Sequence, residues 1–175
     1  AKILDQLKNI ICPGISTEKI NEFCHNLIIK NEATPAPLGY KGFPKSICTS
    51  VNHIVCHGIP SEEKILQDGD IINVDITVIL NGWYGDSSRM FVAGEITKKA
   101  ELLLKTAYEC LMLGIEVAKP GNFIGDIGYE IQKYAESNNC SVVRDFCGHG
   151  IGKKFHTPPS VLHFGNRGEG PELKP

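Results

Sequence analysis

Several features that define other classes of protein are missing from this sequence of 175 residues. No apolar run approaches the roughly 20 residues that a helix needs to cross a bilayer, and the N-terminus carries no signal-peptide pattern. The formal net charge is −2, so no basic surplus favours nucleic acid or a membrane surface as a partner. The seven cysteines are odd in number and form no C-x-x-C pair. Their spacing argues against a disulfide framework or a structural zinc site and favours a reducing cytoplasm.

The composition that is present, with 42% apolar residues, is typical of a globular domain. Its clearest pattern is GDIINVDITVILNGWYGDSSRMFV, residues 69–92. Two apolar runs flank Asn81-Gly82, which is the strongest short signal for a two-residue hairpin with a type I′ turn. With these two residues in the turn, Leu80 faces Trp83, and the pairing continues outward from there.

Counting outward from this turn puts Asp86 opposite Thr77 and Asp75 opposite Ser88. Because side chains alternate between the faces of a strand, Asp75 and Asp86 become diagonal neighbours on one face, with Cβ atoms about 7 Å apart. Two carboxylates held in this way repel each other unless a cation, a proton or a substrate compensates them, and they suit a pair of metal ions. From the hairpin alone, solvated aspartates on an exposed face are an equal alternative.

Helical periodicity accounts for much of the remaining chain. It predicts helices over residues 1–11, 17–31, 97–117 and 123–138. Thr97 is a plausible N-cap, and the helix that follows it gathers apolar residues on one side, namely Leu102, Leu103, Ala107, Cys110, Leu111 and Leu113. The first helix starts without a methionine or a cap, so we expect that part of the natural N-terminus has been removed.

The segments between the helices predict loops and short strands. TPAPLGYKGFP, residues 34–44, is a Pro/Gly-rich loop with two exposed-looking aromatic residues. SICTSVNHIVCHGIP predicts two short strands that end at His57-Gly58. SVVRDF, residues 141–146, predicts a further strand before the turn-rich CGHGIG.

An internal similarity suggests a duplicated unit. ICPGISTEKINEFCHNLIIKN and AKPGNFIGDIGYEIQKYAESN align with Pro13 on Pro120, and in both copies helix, Pro-Gly and helix precede strands. We therefore expect a single domain over residues 1–175, built from two repeats at about 1–95 and about 96–175. The second repeat ends in a loop-like GEGPELKP where a second hairpin is expected, so we expect it to be incomplete.

Three of the six histidines have a context that favours chemistry. His149 in CGHGIG is flanked by glycines, which allow the close backbone approach that metal and substrate sites require. His57 in VCHGIP and His156 in KKFHTPP follow apolar segments in a loop-like context, and each is a candidate for substrate binding or proton transfer with a structural role as the open alternative. Two aspartates and one imidazole suit Mn, Fe(II), Co or Zn, although a pair of metals needs more carboxylates than these.

Three segments together resemble the type I methionine aminopeptidases of the bacterial kind, which are pita-bread metallopeptidases. They are GYKGFPKSICTSVNHIVCHGIP, DGDIINVDITVILNGWYGDSSRMF and SVVRDFCGHGIGKKFHTPPSVLH. The resemblance implies an α/β (α+β) pita-bread fold with a pseudo-two-fold repeat whose second half is incomplete here. It implies hydrolytic removal of the initiator methionine from nascent polypeptides with two divalent metal ions (Co, Mn, Fe or Zn). It further implies a cytoplasmic monomer that acts on chains with methionine before a small residue, with the ribosome as a further candidate partner and no binding to nucleic acid or membrane.

The same resemblance assigns roles to individual residues. By motif, Asp75, Asp86 and His149 become metal ligands. His57 is expected near the substrate amine, and His156 is expected to contact the scissile peptide. The residues expected to line the methionine pocket are Tyr40, Phe43, Cys48 and Phe155, because aromatic edges and a thiol suit a flexible thioether.

Some features depart from the family pattern. The family's two glutamate ligands and a pocket-closing aromatic would lie beyond Pro175, so we expect the parent protein to be an enzyme and the 175-residue chain itself to be inactive. Trp83-Tyr84 stands where bacterial members often have a Phe-His pair, a difference that is not expected to touch the chemistry. A related X-Pro aminopeptidase and a non-catalytic pita-bread binding module are the alternatives. The pocket motif disfavours the first, and the retained ligand and histidine positions disfavour the second.

Overall fold

A computed structural model describes residues 1–175, and the chain divides into two compact units. The first comprises Ala1–Thr97 and Gly152–Phe155, and the second comprises Lys98–Ile151 and His156–Pro175. No helix in either unit has the length and apolar character needed to span a membrane.

The first unit is built from two helices and a four-stranded antiparallel sheet. The helices are α1 (Lys2–Gln6), which a 3₁₀ turn continues over Leu7–Asn9, and α2 (Thr17–Lys30). The strands are β1 (Thr34–Pro35), β2 (Cys48–Val51), β3 (Asp70–Leu80) and β4 (Trp83–Ala93). The long strand β3 is central, with β4 along one edge and with β1 and β2 along the other.

Helix α2 follows the sequence prediction within one residue. Ser16 is its N-cap, and the Ser16 Oγ accepts a hydrogen bond from the Lys19 backbone N at 3.2 Å. Ile20, Cys24 and Ile28 repeat every four residues and are fully buried, so one stripe of the helix faces the core. The predicted first helix over residues 1–11 is shorter in the structure, because the chain tightens into the 3₁₀ turn after Gln6.

The hydrophobic core of the first unit is formed by α1, α2 and one face of the sheet. Its most completely buried members are Leu4, Leu7, Ile20, Cys24, Ile28, Ile47, Leu66, Ile72 and Val74. Each such aliphatic side chain contributes about 1.5–3 kcal/mol through burial. The alternation along β3 leaves the opposite face of the sheet for polar residues.

The predicted hairpin is confirmed in its turn and in its register. Asn81 and Gly82 have φ angles of 51° and 78°, as a type I′ turn requires. Leu80 pairs with Trp83, and the ladder then runs without a shift to the far ends of β3 and β4.

The second unit contains two helices and a two-stranded sheet. These elements are α3 (Lys98–Val117), α4 (Ile124–Ser137), β5 (Gly148–Gly150) and β6 (Thr157–Val161). Both helices lie within one or two residues of their predicted bounds. α3 packs on α4 through small residues, since a Cβ added to Gly114 would lie 3.3 Å from the Ile131 Cδ1.

Two predicted strands are absent. Residues 141–146 form no strand, because β-forming residues make a strand only where a partner ladder exists, and Val143 and Phe146 are exposed instead. The segment after β2 also fails to form a second strand, since Asn52 and His57 adopt positive φ angles of 53° and 56° that break an extended ladder.

Candidate functional site

The polar face of the first unit's sheet brings together three of the predicted site residues. Cys48 on β2 pairs with Asp75 on β3, and Asp75 pairs on its other side with Ser88 on β4. Asp86 pairs with Thr77, so the two aspartates are diagonal neighbours in the register that the sequence predicts. Asp75 is half-buried, whereas Asp86 is exposed.

This environment shifts the pKa of the Cys48 thiol. Burial raises the pKa of the Cys48 thiol to about 12, and the negative charges of Asp75 and Asp86 act in the same direction. The side chain therefore stays a neutral thiol near neutral pH and behaves as a small apolar group rather than as a thiolate ligand. The role of Cys48 in lining a methionine pocket stays a prediction.

The predicted aromatic pocket residues of the first unit contact one another. The rings of Tyr40 and Phe155 have centroids 4.9 Å apart at an interplanar angle of 40°, a tilted arrangement that aromatic pairs favour. Phe43 closes the 3₁₀ turn that carries Tyr40, since its backbone N donates to the Tyr40 O at 2.9 Å. All three rings are half-buried, in contrast to the exposed aromatics suggested for the loop over residues 34–44.

His57 lies at the end of the loop that returns to β2. The next residue, Gly58, accepts a hydrogen bond from the Thr49 backbone N at 2.8 Å and donates from its own N to the Ser50 Oγ at 3.2 Å. These two bonds fix the loop end along β2, next to Cys48. The His57 side chain is exposed, as a residue that meets a substrate must be.

The second unit brings His149 and His156 together. Their ring centroids are 4.3 Å apart, and the Nδ1 of His149 lies 3.0 Å from the Gly150 O. Because a carbonyl oxygen only accepts, the Nδ1–H of His149 is the donor in this hydrogen bond. Gly150 is required here, since a Cβ would lie 2.3 Å from the Pro158 O.

The donor chemistry of these residues fits a divalent metal ion. Carboxylate oxygens and imidazole nitrogens are ligands that Mn, Fe(II), Co and Zn accept. No group of three or more His, Cys, Asp or Glu side chains in the structure is arranged to hold a metal ion.

Tyr84, which was not expected to touch the chemistry, contacts one of the predicted pocket residues. Its ring centroid lies 5.4 Å from that of Phe155. The signal was available in the sequence, because Tyr84 stands two residues before Asp86 and side chains on a strand repeat every two residues.

Comparison with known proteins defines the class. Residues 1–175 match the model of metallopeptidase family M24 over their full length. The chain belongs to this family of metallopeptidases, whose methionine aminopeptidases are dinuclear metal enzymes.

Within the family, the chain is similar to bacterial methionine aminopeptidases. It is 55% identical to the methionine aminopeptidase of Rickettsia prowazekii over 174 residues, which are 99% of this chain and 67% of that protein. The crystal structure of the Rickettsia prowazekii enzyme superimposes with a TM-score of 0.97 at 54% identity, covering 99% of this chain and 69% of that one. The Thermotoga maritima enzyme superimposes with a TM-score of 0.96 at 33% identity, covering 98% and 69%. The predicted α/β pita-bread fold class is confirmed by these structures, and the chain spans about two thirds of the length of these relatives.

Proposed function

We propose that this chain acts in the removal of N-terminal methionine from polypeptides by metal-dependent hydrolysis. One observation carries the proposal: the register of β2, β3 and β4 sets Cys48, Asp75 and Asp86 on one sheet face. This is the combination that a metal-assisted peptidase with a small apolar pocket needs. The 55% identity to a methionine aminopeptidase over nearly the whole chain supports it.

In this proposal Asp75, Asp86 and His149 are metal ligands, and the metals are Co, Mn, Fe or Zn. Bound divalent ions would supply a water of lowered pKa and polarise the peptide carbonyl. The two aspartates contribute the negative charge that holds cations on the sheet face. His149 contributes its Nε2, because its Nδ1 is engaged with the Gly150 O.

The remaining residues bind and orient the substrate. His57 receives the substrate amine, and His156 donates a hydrogen bond to the peptide as charge develops on its oxygen. The neutral Cys48 thiol and the rings of Tyr40, Phe43 and Phe155 form the wall for a methionine side chain, which favours polarisable and aromatic neighbours. The substrates are N-termini of nascent chains with a small second residue, met by a cytoplasmic monomer that works near the ribosome.

We also propose that these 175 residues alone turn over little or no substrate. The support is that the chain spans 67% of the length of the Rickettsia prowazekii methionine aminopeptidase. Release of methionine from a Met-Ala-Ser peptide with added Mn or Co is measured for the 175-residue chain and for the complete natural chain that contains it. Turnover by the short chain at a rate close to that of the complete chain would contradict this part of the proposal.

The ligand assignment is tested in the complete natural chain with Asp86→Asn. The variant keeps the shape of the side chain and loses its charge, so we expect metal binding measured by calorimetry to be lost and methionine release to fall at least about 100-fold. Asp145→Asn, a change at an exposed carboxylate in the second unit, is the matched control and should leave both unchanged.

Three outcomes would contradict the proposal. Unchanged metal stoichiometry in Asp86→Asn would remove the ligand role. Preferential cleavage of a peptide with proline at its second position would instead indicate an X-Pro peptidase. A complete chain that binds metal and cleaves neither peptide would indicate a binding module.

A further inference from the structure

Tyr84 combines two contacts with the segment Gly152–Phe155, both within the first unit. Through its main chain, the Tyr84 N donates a hydrogen bond to the Gly152 O at 2.8 Å. Through its side chain, the ring lies against Phe155 with centroids 5.4 Å apart at an interplanar angle of 37°. The outer edge of β4 therefore holds this segment at both of its ends.

Trp83, the residue before Tyr84, also contacts the segment Gly152–Phe155. The Lys153 Nζ lies 5.3 Å from the centroid of the Trp83 ring, within the range of a cation–π interaction. Trp83 and Tyr84 point to opposite faces of β4, because successive side chains of a strand alternate. Only Tyr84 shares the face of Asp86.

Phe155 contacts a second aromatic ring besides that of Tyr84. Its ring packs on both Tyr84 and Tyr40, with centroids 5.4 Å and 4.9 Å away. Two contacts through Phe155 thus link three half-buried rings. Phe155 belongs to a segment without regular secondary structure, so its position depends on the rings beside it more than on a backbone ladder.

From this geometry we infer that Tyr84 is a positioning residue that sets Phe155 against the side chain of the substrate's first residue and so tunes the affinity for methionine. The inference deepens the proposed function and rests on it. Tyr84 acts through Phe155 and does not touch the reacting atoms. Its loss should therefore raise KM for a methionine peptide and leave kcat nearly unchanged.

The test is a double-mutant cycle in the metal-loaded, complete natural chain, with Met-Ala-Ser as the substrate. Tyr84→Leu removes the ring and should raise KM about two- to tenfold, the range expected for loss of one aromatic pair. Tyr84→Phe keeps the ring and should restore the KM of the unmodified protein. In a Phe155→Leu background, Tyr84→Leu should change KM by less than about twofold, because residues that act as a unit are not additive.

Thermal unfolding of each variant separates this role from a general loss of fold. If Tyr84→Leu does not fold, Tyr84→His keeps a smaller ring and should give an intermediate KM. Additive effects of the two leucine substitutions, or a fall in kcat at constant KM, would overturn the inference and leave the proposed function standing. Failure of the unmodified complete chain to release methionine would overturn both.

Discussion

The two units bury their apolar residues in different ways. In the first unit, helix α2 presents the large residues Ile20 and Ile28 to a core in which both are fully buried. In the second unit, helix α3 buries Thr106, Cys110 and Gly114, which are small. The large apolar residues that α3 leaves exposed are Leu102, Leu103, Tyr108, Leu111, Met112 and Ile115. Where α3 meets α4, Gly114 brings the helix against Ile131 and Ile127, since it has no side chain to hold the two helices apart.

This difference in burial predicts that a leucine-to-alanine substitution lowers the free energy of unfolding more in the first unit than on α3. Leu66 is 0% exposed in the core of the first unit, and Leu66→Ala should lower the free energy of unfolding by about 2–5 kcal/mol. Leu111 on α3 is 56% exposed, and Leu111→Ala should change the free energy of unfolding by no more than about 0.5 kcal/mol. Urea unfolding of the 175-residue chain, followed by circular dichroism, measures both.

Equal losses for the two leucine variants would break the comparison, since they would show that α3 contributes to a core as Leu66 does. A change in the urea dependence of the Leu111→Ala transition would point to altered compactness instead. The pair is matched in chemistry, so the difference in burial is the variable that remains.

The same contrast explains how far sequence alone could lead. The Asn81-Gly82 turn determines the register of the eleven residue pairs between β3 and β4, because one turn type sets every partner along a regular ladder. The diagonal placement of Asp75 and Asp86 follows from that register. Among the apolar residues predicted on one side of α3, only Cys110 is buried. Periodicity identifies a stripe of residues, whereas the partner that covers it is a tertiary property.

Two further site features lay beyond sequence reasoning. The contact between the rings of His149 and His156 depends on the pairing of β5 with β6, which carries a register shift next to His149. The strand predicted over residues 141–146 failed because its residues have no ladder to join. Local propensity predicts these elements poorly where the pairing is short or absent.

The packing of α3 on α4 provides a sharper test of the second unit. A leucine at Gly114 would force the helices apart, so Gly114→Leu should cost about 1–3 kcal/mol in free energy of unfolding. Gly114→Ala should be close to neutral, because the added methyl meets the movable Cδ1 of Ile131 at 3.3 Å and lies at an ordinary van der Waals distance of 3.5 Å from the Ile127 Cγ2, while alanine favours the helix. Thermal unfolding compares the two, and an alanine variant as unstable as the leucine variant would show that the contact has no room for a methyl group.

The smallest expected change in stability comes from two aspartates, one in each unit, whose carboxylates accept hydrogen bonds from nearby chain segments. Burial tends to raise the pKa of Asp70, but hydrogen bonds from the Gln67 N and the Asn52 Nδ2 outweigh it, so the pKa lies below its ordinary value. In the second unit, hydrogen bonds from the Phe123 N and the Gly168 N lower the pKa of the half-buried Asp126. Such a group stabilises the fold above its ordinary pKa of about 4, and this contribution is lost as the pH falls through the lower, folded value.

Asp70→Asn should therefore lower the free energy of unfolding by about 1 kcal/mol at pH 7, with the difference from the unmodified chain shrinking below about pH 4. Asp126→Asn should show the same pH dependence with a smaller amplitude, because Asp126 is half-buried whereas Asp70 is buried, and water competes for its hydrogen bonds. Urea unfolding at intervals between pH 7 and pH 2.5 measures both. A difference for Asp70→Asn that stays constant down to pH 2.5 would mean that the Asp70 charge does not stabilise the first unit.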